Sequence, residues 1–190
     1  MGKQITKWNA KTIIALILGT IAAYYISTLP SSAENDNPLF LFFAGAIAIC
    51  AMILPGISGS FILVVLGAYK TLSDAIHDID FKKLALFILG AIVGFLSFSR
   101  VLKWLFKHYH NITLALLTGF ILGSLNKVWP WKEVLSWRTN SKGQNVPLLE
   151  ESISPFSFDG EHQLGMAVLL MIIGFLTIIL LEKFGAKNTN

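Results

Sequence analysis

The stretch NPLFLFFAGAIAICAMILPGISGSFILVVLGAY, residues 37–69, runs for 33 positions without a charged side chain. As one helix it would be about 50 Å long at about 1.5 Å per residue, against a hydrocarbon core of about 30 Å. Its middle, Pro55-Gly56-Ile57-Ser58-Gly59-Ser60, is also the wrong composition for a continuous helix. Proline removes a backbone hydrogen bond, and the glycines weaken what is left. Two chain paths remain: a re-entrant hairpin that enters along 38–54 and returns along 59–70, or a single crossing with an unwound centre. Each arm is near or below spanning length, which favours the hairpin.

The rest of the chain reads as membrane too. Of its 190 residues 54% are hydrophobic and 14% charged, where a soluble domain carries about 25% charge. The gaps between charges measure the spans. Lys11 to Glu34 leaves 22 uncharged residues, Lys83 to Arg100 leaves 16, Lys107 to Lys127 leaves 19, and Glu161 to Glu182 leaves 20. A spanning helix needs about 20 apolar residues. The expected fold is an all-α integral membrane domain over 1–190. It has transmembrane helices at 12–29, 83–106, 111–128 and 163–182, plus the hairpin at 38–70. The polar segment 130–162 is expected to be exposed and irregular. Ser31-Ser32-Ala33 after the first apolar run imitates a cleavable signal, but the run is longer than a signal core and is expected to be a retained helix.

Charge sets orientation weakly. Lys3, Lys7 and Lys11 precede the first span, and the following loop carries Glu34 and Asp36 with no Lys or Arg, so the N-terminus is expected in the cytoplasm. A hairpin then divides the basic residues eight inside and seven outside, and a crossing ten and five. Charge favours the crossing and length the hairpin. Length is the better guide, because basic residues with a buried function distort the count. The net charge of +4 is scattered at segment ends, which fits headgroups and not a nucleic-acid partner. Cys50 is the single cysteine. It is expected to be a buried small hydrophobe, with no disulfide, metal site or cofactor implied.

Three features carry candidate chemistry. Non-helical backbone at membrane depth is tolerated where it lines a polar cavity or is buried in protein. Gly56 and Gly59 let the backbone approach a ligand, Ser58 and Ser60 add hydroxyls, and the second arm would aim its N-terminal dipole at the break. Arg100, Lys103 and Lys107 follow at i, i+3 and i+7, on one helix face. Arg100 ends a run too short to span, and its forked guanidinium suits phosphate. Lys103 and Lys107 fit snorkelling to headgroups. Gly90-xxx-Gly94 and Gly119-xxx-Gly123 are expected to be helix-packing sites, and Trp104, Trp129, Trp131 and Trp137 interface anchors. Gly56-Ile57-Ser58-Gly59 also resembles the nucleophile motif of intramembrane serine proteases. Such an enzyme needs a facing histidine, and His77, His108, His110 and His162 all fall at segment ends or in loops.

Two motifs in order, residues 44–60 running on to Leu66-Gly67-Ala68-Tyr69, and 119–131 (GFILGSLNKVWPW), resemble the bacterial polyprenyl-phosphate transporters. The resemblance covers about residues 12–132. It implies translocation of undecaprenyl phosphate across the cytoplasmic membrane for reuse in envelope synthesis, by inverted repeats that each hold a re-entrant hairpin. It implies Pro55, Gly56, Ser58, Gly59, Ser60 and Arg100 as phosphate-binding residues, with Lys103, Ser124, Asn126 and Lys127 as secondary candidates and no catalytic residue. The family carries an earlier repeat with a similar motif, and one such motif stands here. A closed pathway is then expected to need a homodimer, a separately encoded partner half, or further residues upstream. The alternatives are a hydrolase acting through Ser58 and a partner subunit that transports nothing.

Overall fold

The computed structural model describes residues 5, 8–32, 35, 37–139, 145–158 and 163–187. Lys3, Lys7, Ala33, Glu34, Asp36, Lys142 and His162 lie outside the described residues. Residues 1–128 and 129–190 form two compact units, taken in turn.

Helix α1 (Ala10–Thr28) starts at a capping box: Thr12 N donates to Asn9 Oδ1 at 3.0 Å, and Asn9 N donates to Thr12 Oγ1 at 2.9 Å. It stops at Leu29, whose extended backbone is what the following Pro30 requires. Helix α2 (Pro38–Ile53) has Asn37 as its cap and proline at its first position, where a missing N–H costs nothing. It ends at Leu54 for the same reason that α1 ends: the next residue is Pro55. Helix α3 (Gly59–Val65) is seven residues long. Gly67, at φ +72°, closes it: Ala68 N donates to Leu63 O and Gly67 N to Val64 O, satisfying carbonyls that the helix end leaves open. Helix α4 (Tyr69–His77) turns away at 109° to α3. Asp80 caps α5 (Phe81–His108), accepting from Lys82 N and Lys83 N at 3.1 and 3.2 Å. Helix α6 (His110–Ser124) follows and runs into a short 3-10 turn, Leu125–Val128.

Helix packing decides between hairpin and crossing. Gly90 and Gly94 of α5 lie against the backbone of Phe42 and Ala46 of α2, so the two helices run parallel. A chain that leaves α2 and starts α5 in the same direction has returned to the side where α2 began. The return limb is α3: Leu41, Ala44 and Ala48 share a buried cluster with Leu63 and Ala68. Ser32 N donates to Val65 O at 2.9 Å, and Thr71 Oγ1 donates to Asn35 O at 3.4 Å. The far end of α3 therefore sits beside the residues that precede α2, and the 33-residue stretch is a re-entrant hairpin.

Helices α1 and α6 pair in the same manner. Gly19 lies against Leu116, Gly119 against Leu16, and Gly123 against Thr20 and Ala23. Both small-residue pairs expected from the sequence thus sit at close helix contacts, where any side chain would meet a neighbouring backbone. The first unit is then two groups, α1–α6 and α2–α5 with the hairpin, and beyond the α5–α6 junction the contact between them is sparse. Large apolar side chains cover the outside: Ile14, Leu18, Ile21, Phe43, Ile88 and Leu96 are all exposed, as lipid contact requires.

In the second unit, segment 130–162 departs from the irregular loop expected. Strands β1 (Lys132–Thr139) and β2 (Asn145–Ser152) form an antiparallel hairpin with register shifts around Ser136. Val134, Leu135, Trp137 and Val146 are strand-forming residues, and the interspersed charges and Pro147 hid their pattern. The strand base is tied by Trp129 Nε1 donating to Ile153 O at 2.9 Å and Ile153 N donating to Trp131 O at 3.0 Å. Helix α7 (Leu164–Lys187) ends the described chain. Among the described residues, four helices are long and apolar enough to cross a membrane: α1, α5, α6 with its 3-10 turn, and α7. The chain is a multi-pass all-α membrane protein with one small β-hairpin.

Candidate functional site

Between α2 and α3, the break spans Leu54 to Ser58. Gly56 has φ +89°, a conformation that costs residues with a Cβ and not glycine. It also lies directly against α6: a Cβ built at Gly56 would stand 2.7 Å from Ser124 Cβ. Gly59 is buried against Ala48 and Met52 of α2, which lets the return arm pack close. Pro55 is half-buried and sets the break. The Ser58 and Ser60 hydroxyls are 2.8 Å apart and hydrogen-bonded to each other, on exposed residues. Ser124 Oγ donates to Ile121 O at 2.8 Å.

Two cavities meet at this tip and share Ile57 and Ser58. One, of about 240 Å³, lies between the two helix groups. It is lined by Ala23, Ile26 and Ser27 of α1, by Gly56, Ile57, Ser58 and Phe61 of the hairpin, and by Lys127. The other, of about 620 Å³, is a mostly apolar groove among α2, α3, α4 and α5, with Ala48, Met52, Leu63 and Phe87 in its wall. Lys127 comes from the 3-10 turn after α6, and its Nζ sits 4.4 Å from the centroid of the Phe61 ring.

The structure thus brings Gly56, Ser58, Ser124 and Lys127 together and leaves the other cations elsewhere. Continuing the Phe42–Gly90 and Ala46–Gly94 register puts Arg100 level with the end of α2. Its side chain, however, points roughly 100° around α5 from that packed face. It is exposed and lines neither tip cavity. Lys103 and Lys107 are exposed on the last turns of α5. Asn126 lies beside Lys127 on the same turn and lines neither cavity. Seven residues make α3 too short for the dipole expected of the second arm to count for much, so the charge at the small cavity comes from Lys127. Phe61 was not singled out in the sequence. A lone phenylalanine in an apolar run carries no signal until the fold sets a lysine over it.

Among the described residues no histidine lines either tip cavity, His108 Nδ1 is engaged with Trp104 O at 3.0 Å, and the hydroxyl next to Ser58 is another serine.

Spanning helices with a re-entrant hairpin, whose tip borders a small cavity holding a cation and hydroxyls, define a polytopic membrane protein built around a broken-helix site. The chain belongs to the undecaprenyl phosphate translocase-like family, whose model matches residues 1–146. A polyprenyl-phosphate transporter of Vibrio cholerae serotype O1 is 43% identical over 191 residues, covering 98% of this chain and 62% of the relative. A polyprenyl-phosphate transporter of Staphylococcus aureus is 40% identical over 141 residues, covering 66% of this chain and 50% of the relative. The chain therefore spans less than two thirds of the length of either. No solved structure matches it.

Proposed function

We propose that this chain forms part of a transporter that carries undecaprenyl phosphate across the bacterial cytoplasmic membrane, returning the lipid carrier for envelope synthesis. One observation carries the reading: the tip of the re-entrant hairpin closes a small cavity with a lysine and serine hydroxyls in an otherwise apolar bundle, in a family whose relatives bear the name polyprenyl-phosphate transporter. The phosphate takes hydrogen bonds at Gly56 to Ser60, with Pro55 and Gly59 shaping the tip and Ser124 behind it. The isoprenoid tail stays among apolar side chains. Arg100 neutralises charge as the headgroup approaches along α5, and Lys103 meets headgroups at the boundary. Transport makes and breaks no covalent bond and needs no cofactor.

The exposed Ser58 and Ser60 support a second, opposed hairpin completing the path, from another copy of this chain, from a separately encoded half, or from further residues upstream. The N-terminus lies in the cytoplasm on this reading. The test is flipping of labelled undecaprenyl phosphate in liposomes holding the purified chain, alone and with the candidate partner half. Retention of label in the outer leaflet in both cases, with the protein folded, refutes the proposal.

A further inference from the structure

The apolar groove beside the hairpin tip has a polar end and an apolar length. It runs among α2, α3, α4 and α5 and encloses about 620 Å³, and among the described residues no charged side chain lines it. Its hydroxyls, Ser58 and Ser60, stand together at the tip and bond to each other. There the groove shares Ile57 and Ser58 with the small cavity. Met52, against Gly59, marks the tip end, and Gly45, against Phe87 and Ala91 of α5, marks the other. Between them the groove follows α2 for about 10 Å, the length of about two extended isoprene units. Its lining is packed protein, since Gly45, Ala48, Gly59 and Leu63 are buried. This is the outline of one amphiphile, with its headgroup at the hydroxyls and its chain along α2.

We propose that this groove is the chain subsite of the lipid phosphate, seating the isoprene units next to the headgroup and leaving the rest of the chain in the bilayer. This rests on the reading of the tip as a phosphate site. Hydrophobicity does not drive the step, because a chain that leaves lipid for the groove stays in apolar surroundings. Packing and chain order decide it instead. Seating a chain freezes its torsions, and a chain already stiff loses less. Each isoprene unit has a torsion fixed by its double bond, where a saturated chain has only rotatable bonds. Its methyl branches also find partner atoms in the hollows at Gly45, Ala48 and Gly59, which a straight chain leaves unfilled. The groove therefore prefers a branched, unsaturated chain to the acyl chains around it.

The test is equilibrium binding to the chain in nanodiscs, with affinity taken per mole fraction of bilayer lipid so that simple partitioning cancels. Farnesyl phosphate is the probe, and geranyl, geranylgeranyl and dodecyl phosphates are the comparisons. Farnesyl phosphate is expected to bind about three- to tenfold more tightly than dodecyl phosphate. It should also bind more tightly than geranyl phosphate, and geranylgeranyl phosphate should match it within about twofold because the groove is then full. Met52 is 67% exposed, so Met52→Trp should fold. It obstructs the groove beside the hydroxyls and should erase the preference for farnesyl over dodecyl phosphate. A farnesyl phosphate with a diazirine on its last unit needs no variant: it should label Leu72, Phe87 or Ala91, and unlabelled farnesyl phosphate should suppress the labelling. Folded wild type that binds none of these phosphates would remove the phosphate reading and this inference with it. The groove assignment alone would fall, with the phosphate site standing, on any of four results. These are binding without chain preference, affinity that climbs with every added unit, a preference untouched by Met52→Trp, or label spread over the exposed face of α1. In a Cys50→Ala background, a Met52→Cys disulfide between two copies that forms equally with and without farnesyl phosphate would give the groove to a second copy and overturn the assignment too.

Discussion

Gly56→Ala tests the hairpin tip at its tightest point. Two independent penalties meet there. The first is local: at φ +89° a Cβ crowds its own backbone, at a cost of about 1–2 kcal/mol. The second is tertiary: the new methyl would stand 2.7 Å from Ser124 Cβ and closer still to Ser124 Oγ, an overpacked contact worth about 1–3 kcal/mol. Together Gly56→Ala should destabilise the protein by roughly 2–5 kcal/mol. The two parts separate in a double-mutant cycle. Ser124→Gly alone loses the hydrogen bond to Ile121 O and some helix propensity, about 1–2 kcal/mol in all. It also removes the atoms with which the new methyl collides. The double variant should therefore keep the backbone penalty and shed the steric one, giving a favourable coupling of about 1–3 kcal/mol. The measurement is reversible unfolding of purified protein in mixed detergent micelles, with the four proteins compared at one micelle composition. If the two changes add within about 0.5 kcal/mol, Gly56 and Ser124 are not in contact. If Gly56→Ala is neutral, position 56 does not hold a positive φ. Either result would refute the tip as described.

Other expectations follow from the same geometry. Gly90→Leu on α5 drives a side chain into the Phe42 carbonyl and should prevent α2 and α5 from pairing, read as loss of folded protein in detergent. The exposed Leu89→Ala should fold normally. Gly67→Ala, at φ +72°, should cost about 1–2 kcal/mol in the same micelle assay by straining the close of α3. In a Cys50→Ala background, cysteines placed at Ser32 and Asp78 should react with an impermeant maleimide from one side of the membrane, and a cysteine at Lys107 from the other. Labelling of positions 32 and 78 from opposite sides would restore the crossing. Arg100→Gln should slow flipping in liposomes and leave farnesyl phosphate affinity within about twofold of wild type, since Arg100 lines neither tip cavity. A loss of about tenfold or more would put Arg100 at the bound headgroup.

What the sequence made legible was whatever follows from length and local chemistry. Thirty-three uncharged residues are too long for one span and carry their own break, so the hairpin could be argued before any fold existed. The helix ends at Leu54 and Leu29 follow from the prolines after them, and Gly90, Gly94, Gly119 and Gly123 announced close packing. Charge counting pointed the other way: it treats every basic residue as a loop charge, and Lys127 at least is not one, since it lies at the hairpin tip. The same residue explains why the candidate site was only half readable. Gly56 and Ser58 are adjacent in sequence, but Ser124 and Lys127 reach them only because α1 pairs with α6 and brings the end of α6 to the break. Arg100 was the more persuasive cation on local grounds, ending a run too short to span. Local grounds cannot say which way a helix face turns, and the face of α5 that meets α2 is the Gly90–Gly94 face. A membrane site assembled from broken helices is therefore legible in one respect and opaque in another. The break is written in prolines and glycines, while the charged partner is set by helix pairing, which single-chain composition does not encode.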